Sequence, residues 1–540
     1  MKRLHYLYFL FFLAGTVLWA QEPSLVELEQ QPDRWPEEVT TKVAIQVKLM
    51  ADGKEIGSML LPVGGKGKPM ELKQGILKIE VLNARGEIAV TDTDFLENLK
   101  TVQPKPEVTP ETNAEEIGVD QPPPTQSSAD PAVGAMWQKL NKTFGATVWQ
   151  DDQLWDDDAA VVAKRLAWPE ESRTETQGSY RLYAKENVQV LGTRPYSLAL
   201  YQQQGKPDRF SMMFANKGDF EGFSKVDPSR QDEESSKERR EREKDSKAAI
   251  KGFPEAVKQD RDTIEKKLIE LLGEPQRQHI GSGDMKESVD RWDWQGHAIL
   301  LASPKGEYTA VRIISTELAD NRGRVARVSD SDLKEILKQR VLTRPNGDVV
   351  IQQIPMVDQG PKGFCVPATW ERYLRYLEMP ADMYVLAMAG GTGLGGGTYT
   401  SAIKEGADRF AKVYSRKIED IDPSLEIKDL AKYIDQGLPV MWSCYVNPVI
   451  EGAFTKRTLE RRSVTDWDAY ATTLEKERKS MSDRPVRIRD SGHMRLIIGY
   501  NEKTSEIAIS DSWGKGSEER WLTLEEAKST TQSELTIIKW

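Results

Sequence analysis

A glutamine six residues ahead of a cysteine, with a proline two residues beyond it, restricts this chain more than any other stretch. It reads Gln359-Gly-Pro-Lys-Gly-Phe-Cys365-Val-Pro367-Ala-Thr-Trp370. Proline fits the first turn of a helix but not its interior, so Cys365 is expected to open one. Trp370, Tyr373, Leu374 and Leu377 then recur at helical spacing and give that helix an apolar face. A thiol at a helix N-terminus feels partial positive charge, which favours the thiolate, the nucleophilic form. If the turn 360–363 folds back, the Gln359 amide and the Cys365 N–H supply two donors for an oxyanion.

A cysteine nucleophile needs a base, and the chain has few. Of its four histidines only His493 follows Cys365. It begins an apolar run, His493-Met-Arg-Leu-Ile-Ile-Gly-Tyr500, that reads as a strand. A turn over Asn501 to Ser505 leads to Ile507-Ala-Ile-Ser-Asp511-Ser-Trp513-Gly514. The pair reads as a hairpin that brings Asp511 beside His493, where a carboxylate orients the ring.

Gln, Cys, His and Asp in this order resemble the catalytic set of papain-like cysteine peptidases. The Gln-to-Cys spacing matches, and Asp511-Ser-Trp-Gly resembles their Asn-Ser-Trp-Gly. Cys-Val-Pro-Ala and Gly-His…Gly-Tyr are more similar to the bacterial branch of bacteriocin-processing, double-glycine peptidases. The resemblance covers about residues 345–535. It implies Gln359 as oxyanion donor, Cys365 as nucleophile, His493 as acid/base, Asp511 as orienter and Trp513 as a shield over the His–Asp contact. It further implies peptide or protein substrates and no cofactor or metal. Departures are Val366 where that branch often has glycine, Asp511 where papain has Asn, and a longer Cys-to-His interval. The charged insert Ile450 to Arg489 accounts for the excess and is expected as a lid over the cleft. Two other readings stand beside an active peptidase: a catalytically inactive papain-fold binding or scaffold protein, and a cell-wall peptide amidase or transpeptidase using the same acyl-enzyme.

The rest of the chain reads as attachments, and the expected class is α+β. Residues 1–20 have a positive start and an apolar body, the pattern of a secretory signal, so export to the periplasm or outside is expected. No later run is long enough to span a membrane. Residues 24–100 alternate apolar and polar as short strands, with a turn at Asp52-Gly53, and suggest a small SH3-like barrel that holds a ligand or cell-envelope partner. A Pro-rich linker follows at 101–134. Residues 135–320 read as an α+β domain of two strands, a helix and two strands, with a charged helix or loop at 224–247. Its tryptophans and its His279 and His297 read as packing. The stretch 316–345 reads as a polar connector, and the preceding domains as a possible pro-region. A net charge of −10 argues against nucleic-acid binding. Cys365 and Cys444 either pair or, as the motif prefers, stay free with Cys444 in the core. The glycine run 389–396 matches a dinucleotide fingerprint after a strand-like Tyr384 to Met388, yet lacks the βαβ repeat around it. It reads better as a loop lining a peptide cleft.

Overall fold

Alternating apolar and polar residues pleat into strands with one buried face, and the first of two units, Met1–Pro124, is built this way. The computed structural model describes most of residues 28–99, then 131–220 apart from 186, 236–481 apart from 362, and 492–540. The expected signal and residues 101–130 of the linker lie outside the described residues. In the first unit, β1 (Val39–Thr40), β2 (Ile45–Ala51), β3 (Lys54–Leu61), β4 (Lys66–Lys73), β5 (Ile76–Val81) and β6 (Ala84–Ala89) form one antiparallel sheet. Its order is β1-β4-β5-β6-β2-β3. Ala51 pairs with Lys54, which leaves the two positions expected to turn this hairpin between them; Asp52 and Gly53 themselves lie outside the described residues. Leu72, Leu77, Ile79, Ile88 and Phe95 share the core.

The second unit, Thr125–Trp540, takes in everything else. Helix α1 (Pro131–Phe144) starts inside the stretch read as linker. Helix α2 (Ala159–Leu166) is capped by Asp158, whose carboxylate accepts from the Ala160 and Val161 amides. Two four-stranded meanders follow, β7 (Glu170–Arg173), β8 (Gln177–Tyr183), β9 (Ser197–Gln203) and β10 (Lys206–Asn216), then β11 (Gln276–Ile280), β12 (Glu287–Trp294), β13 (His297–Ala302) and β14 (Tyr308–Ser315). Pairing of β10 with β14 joins them into one eight-stranded sheet, and α3 (Ser236–Leu272) packs across its central strands. The two-strand, helix, two-strand pattern is thus doubled. The outer strands escaped the sequence pattern because runs such as Glu-Glu-Ser-Arg are polar. Of the charged stretch 224–247, the described part, from Ser236, is helix. His297 is buried among Trp137, Trp149 and Trp155.

The stretch read as a polar connector is structured. It holds α4 (Thr316–Asp320), α5 (Asp330–Gln339) and β15 (Val341–Thr343), and α5 buries Leu333 and Leu337 in the last core. The second sheet has the order β15-β16-β19-β18-β22-β17, with β20 and β21 continuing from β19. Its strands are β16 (Val349–Ile351), β17 (Lys417–Asp420), β18 (Val440–Tyr445), β19 (Gly492–Asn501), β20 (Glu506–Ser510), β21 (Arg520–Thr523) and β22 (Thr531–Lys539). Its helices are α6 (Cys365–Tyr376), α7 (Met383–Ala389), α8 (Thr400–Val413), α9 (Ile427–Ile434), α10 (Pro448–Arg461), α11 (Trp467–Met481) and α12 (Leu524–Thr530). The strand-like Tyr384 to Met388 is therefore helix. Asp382 caps it at the Tyr384 amide, and a continuous apolar run has no period that separates a buried helix from a strand.

Helix α6 is amphipathic in sequence yet buried all round. Trp370, Tyr373 and Leu374 face the second sheet's core, each full burial worth about 1.5–3 kcal/mol for a large apolar side chain. Its polar face meets the β7–β14 sheet of the same unit. Gln177 Nε2 donates to the Arg375 carbonyl at 3.0 Å, and Arg375 donates to the Gly178 carbonyl at 3.4 Å. Met213, Leu300 and Tyr308 share one apolar cluster with Val357, Phe364, Ala368 and Met383. The segments read as separate domains, 135–320 and 345–540, thus have a core in common.

Candidate active site

Cys365 is the first residue of α6, and no side chain caps that end, which leaves its amide dipoles directed at the thiol. The β19–β20 hairpin, closed by Asn501 opposite Glu506, carries His493 at one strand's start and sets Asp511 just past the other's end. His493 Nε2–H donates to Asp511 Oδ1 at 2.5 Å, and the ring and the Cys365 thiol are near enough to shift each other's ionisation. The Trp513 ring stacks on the His493 ring at 4.8 Å between centroids and is 37% exposed on its outer side.

The electrostatics follow from these contacts. Burial pushes the Cys365 thiol up, but the hydrogen bond and charge of His493, with the Met494 and Val366 amides, outweigh it and leave the thiol below its ordinary value. Burial alone would depress His493; the Asp511 carboxylate and the Cys365 sulfur instead raise it to about 9. Against burial, Arg495, His493 and Arg520 hold the Asp511 carboxyl far below the usual range. The thiolate–imidazolium form is the one this arrangement favours. Cys444 pairs in register with His493 on β18 but is a free, buried cysteine whose thiol burial pushes up to about 12.

Four groups beyond the expected set hold the site. Arg495 Nε donates to Asp511 at 3.2 Å, Arg520 donates to its other oxygen, and both arginines also bond Glu451. Ser512 Oγ donates to Gln359 Oε1 at 2.8 Å, and the Gln359 N–H donates to the Ser512 carbonyl at 2.8 Å. The Gln359 amide oxygen is thereby occupied, which frees its NH₂ to donate. Arg495 was legible in principle, since it lies two residues from His493 and shares its face of the strand. Glu451, Ser512 and Arg520 gave no comparable signal.

A cavity of about 630 Å³ opens on the thiol. Cys365 and His493 line it together with Ser443, Tyr445 and Gly492 and with the glycines Gly391, Gly393, Gly396 and Gly397. Gly396 adopts φ +90°, and a Cβ there would meet the Gly363 nitrogen at 2.7 Å, so glycine is required where the wall touches the turn before Cys365. The Gly397 N–H donates to the Gly363 carbonyl at 2.9 Å. The glycine run is cleft wall, and it follows a helix rather than the strand a dinucleotide fingerprint needs.

The insert is expected from the sequence as a lid over this cavity. Among its described residues none lines the cleft; α10 instead packs on β21, with Arg457 bonded to both Glu526 oxygens at 2.7 and 2.8 Å and Arg461 to Asp348 at 2.6 Å. These buried ion pairs, together with Phe454, tie α10 into the core. Nor does any described residue of 131–320 line the cleft.

No curated protein matches this chain. Residues 351–534, which contain every group of the candidate site, match the Peptidase_C39 like family. That match supports the likeness of this segment to the papain-like cysteine peptidase superfamily.

Proposed function

We propose that the protein is an exported cysteine peptidase that cleaves peptide bonds through a Cys365 acyl-enzyme. The thiolate attacks the scissile carbonyl carbon and a C–S bond forms as the oxygen takes up charge. In this reading the Gln359 NH₂ and the Cys365 backbone N–H donate to that oxyanion. Imidazolium His493 then gives its proton to the departing amine as the C–N bond breaks. Water, deprotonated by His493, attacks the thioester; the C–S bond breaks, and the acid product leaves with the thiolate restored. Asp511 keeps the ring in the tautomer and orientation both steps need.

One observation carries this reading: a cysteine at a helix start and a histidine bonded to Asp511 line the same cleft. The glycine wall favours an extended peptide, because it lets a substrate backbone approach closely. The N-terminal sheet, which we read as SH3-like, holds a ligand or partner rather than reacting. The test is Cys365→Ala in the full chain, assayed with a casein digest and mass spectrometry. Hydrolysis and trapping of a covalent acyl adduct are both expected to vanish. Hydrolysis that survives the substitution overturns the mechanism.

A further inference from the structure

The residues on either side of Gln359 are held by the first sheet of the second unit, a region the peptidase reading leaves without a task. The Tyr183 hydroxyl, at the end of β8, donates to the Asp358 carbonyl at 2.5 Å. Its ring lies against Gly360, where an added Cβ would meet ring carbons at 2.8 Å and where φ is +70°. Tyr183 therefore touches the positions immediately before and after Gln359. Glu171 on β7 accepts the Asp358 N–H at 2.8 Å and is fixed in turn by Arg181 at 2.6 Å. Ser172 accepts the Met356 N–H at 2.9 Å. Farther along, Phe364 sits over Gly218, where any Cβ would come within 2.2 Å of its ring. The Lys217 carbonyl accepts the Gly395 N–H of the cleft wall at 3.0 Å.

These contacts converge on the backbone that presents the oxyanion donors and on the glycine wall, and they avoid the cleft itself. A pro-region would fill the cleft; this sheet leaves it open and grips the loops that frame it. We infer that the sheet of residues 170–315 is a permanent part of the active site, and that Tyr183 is a positioning residue that sets the Gln359 amide for oxyanion binding. The inference rests on the peptidase reading and adds to it. Tyr183 acts through the main chain: its hydroxyl fixes the Asp358 carbonyl, its ring blocks Gly360 from moving, and Ser512 fixes the Gln359 amide oxygen between them. A shift of about 1 Å in such a donor costs on the order of 100-fold in rate.

The experiment uses the full chain and the p-nitrophenyl ester of N-acetylglycine, an activated acyl donor. Phenolate release reports acylation, and iodoacetamide labelling of Cys365 reports thiolate reactivity, which needs no oxyanion donor. Tyr183→Phe removes one oxygen and keeps the ring. We expect kcat for acylation to fall about 10- to 100-fold with KM and the labelling rate unchanged. In a Gln359→Ala background, Tyr183→Phe should add no further loss, because both changes act through one amide. Full acylation by Tyr183→Phe, equal loss in labelling and acylation, or additive losses in the double variant would each overturn the assignment. Absence of any acylation by the unaltered chain would overturn the peptidase reading with it, so the two failures are distinguishable.

Discussion

Asp511→Asn is nearly isosteric, and papain-like sites with asparagine at this position are part of the resemblance noted above. Here the change should nevertheless be costly. Asp511 meets His493, Arg495 and Arg520, and among the described residues the other carboxylate bonded to the two arginines is Glu451. With the thiolate and imidazolium formed, the positive charges of Arg495, Arg520 and His493 balance Asp511, Glu451 and Cys365. Asparagine leaves one positive charge uncompensated in a buried site, a loss of about 3–5 kcal/mol. At roughly 2 °C per kcal/mol for a large unit, the melting temperature should drop on the order of 5–10 °C. His493 also loses the partner that raises it, so its value should fall from about 9 toward the ordinary 6.5. A raised folded-state value stabilises the fold fully below pH 6.5, and that contribution is lost as pH rises through about 9. The variant should lose it earlier, and the basic limb of its pH–activity profile should move down by about one unit or more. Scanning calorimetry and the pH profile of ester hydrolysis measure both effects. Adding Arg520→Gln should recover part of the stability and none of the basic limb. An Asp511→Asn chain with unchanged melting and an unmoved limb would refute the charge balance.

Two further outcomes follow from the same geometry. Gln359→Ala should lower kcat/KM for acylation about 100- to 1,000-fold, the usual loss for one oxyanion donor, while iodoacetamide labels Cys365 at the unaltered rate; parallel losses would place Gln359 in folding rather than catalysis. Native protein treated with a thiol reagent at pH 8 should label Cys365 alone, with Cys444 labelled only after unfolding, because burial pushes its thiol to about 12. Intact mass spectrometry showing a Cys365–Cys444 disulfide would contradict this.

The reactive half of the site was legible because it is local. Cys365 at a helix start announces itself through Pro367 and the apolar spacing after it, and the β19–β20 hairpin through two alternating runs around a turn. The tetrapeptide Asp511-Ser512-Trp513-Gly514 proved denser than its pattern suggests: Asp511 bonds His493, Ser512 bonds Gln359, and Trp513 stacks on the ring. What escaped depends on contacts between distant segments. The pairing of Arg520 with Asp511, or of Tyr183 with Asp358, leaves no period or spacing in a single sequence. The polar strands β7 and β11 escaped because they sit at the two ends of the β7–β14 sheet, where apolar alternation is not needed. The burial of α10 escaped for a related reason. Its arginines read as solvated charge, yet Arg457 and Arg461 are buried with Glu526, Glu506 and Asp348.

The central claim is that Cys365 and His493 share a proton as a thiolate–imidazolium pair, and the rate of Cys365 alkylation against pH in the full chain tests it most directly. A thiolate–imidazolium pair gives a reactive plateau that begins below the ordinary thiol value of 9, and a second change near pH 9 as His493 loses its proton. In His493→Ala the plateau should disappear. A single ionisation near pH 9 in the unaltered chain, the same with or without His493, would contradict it.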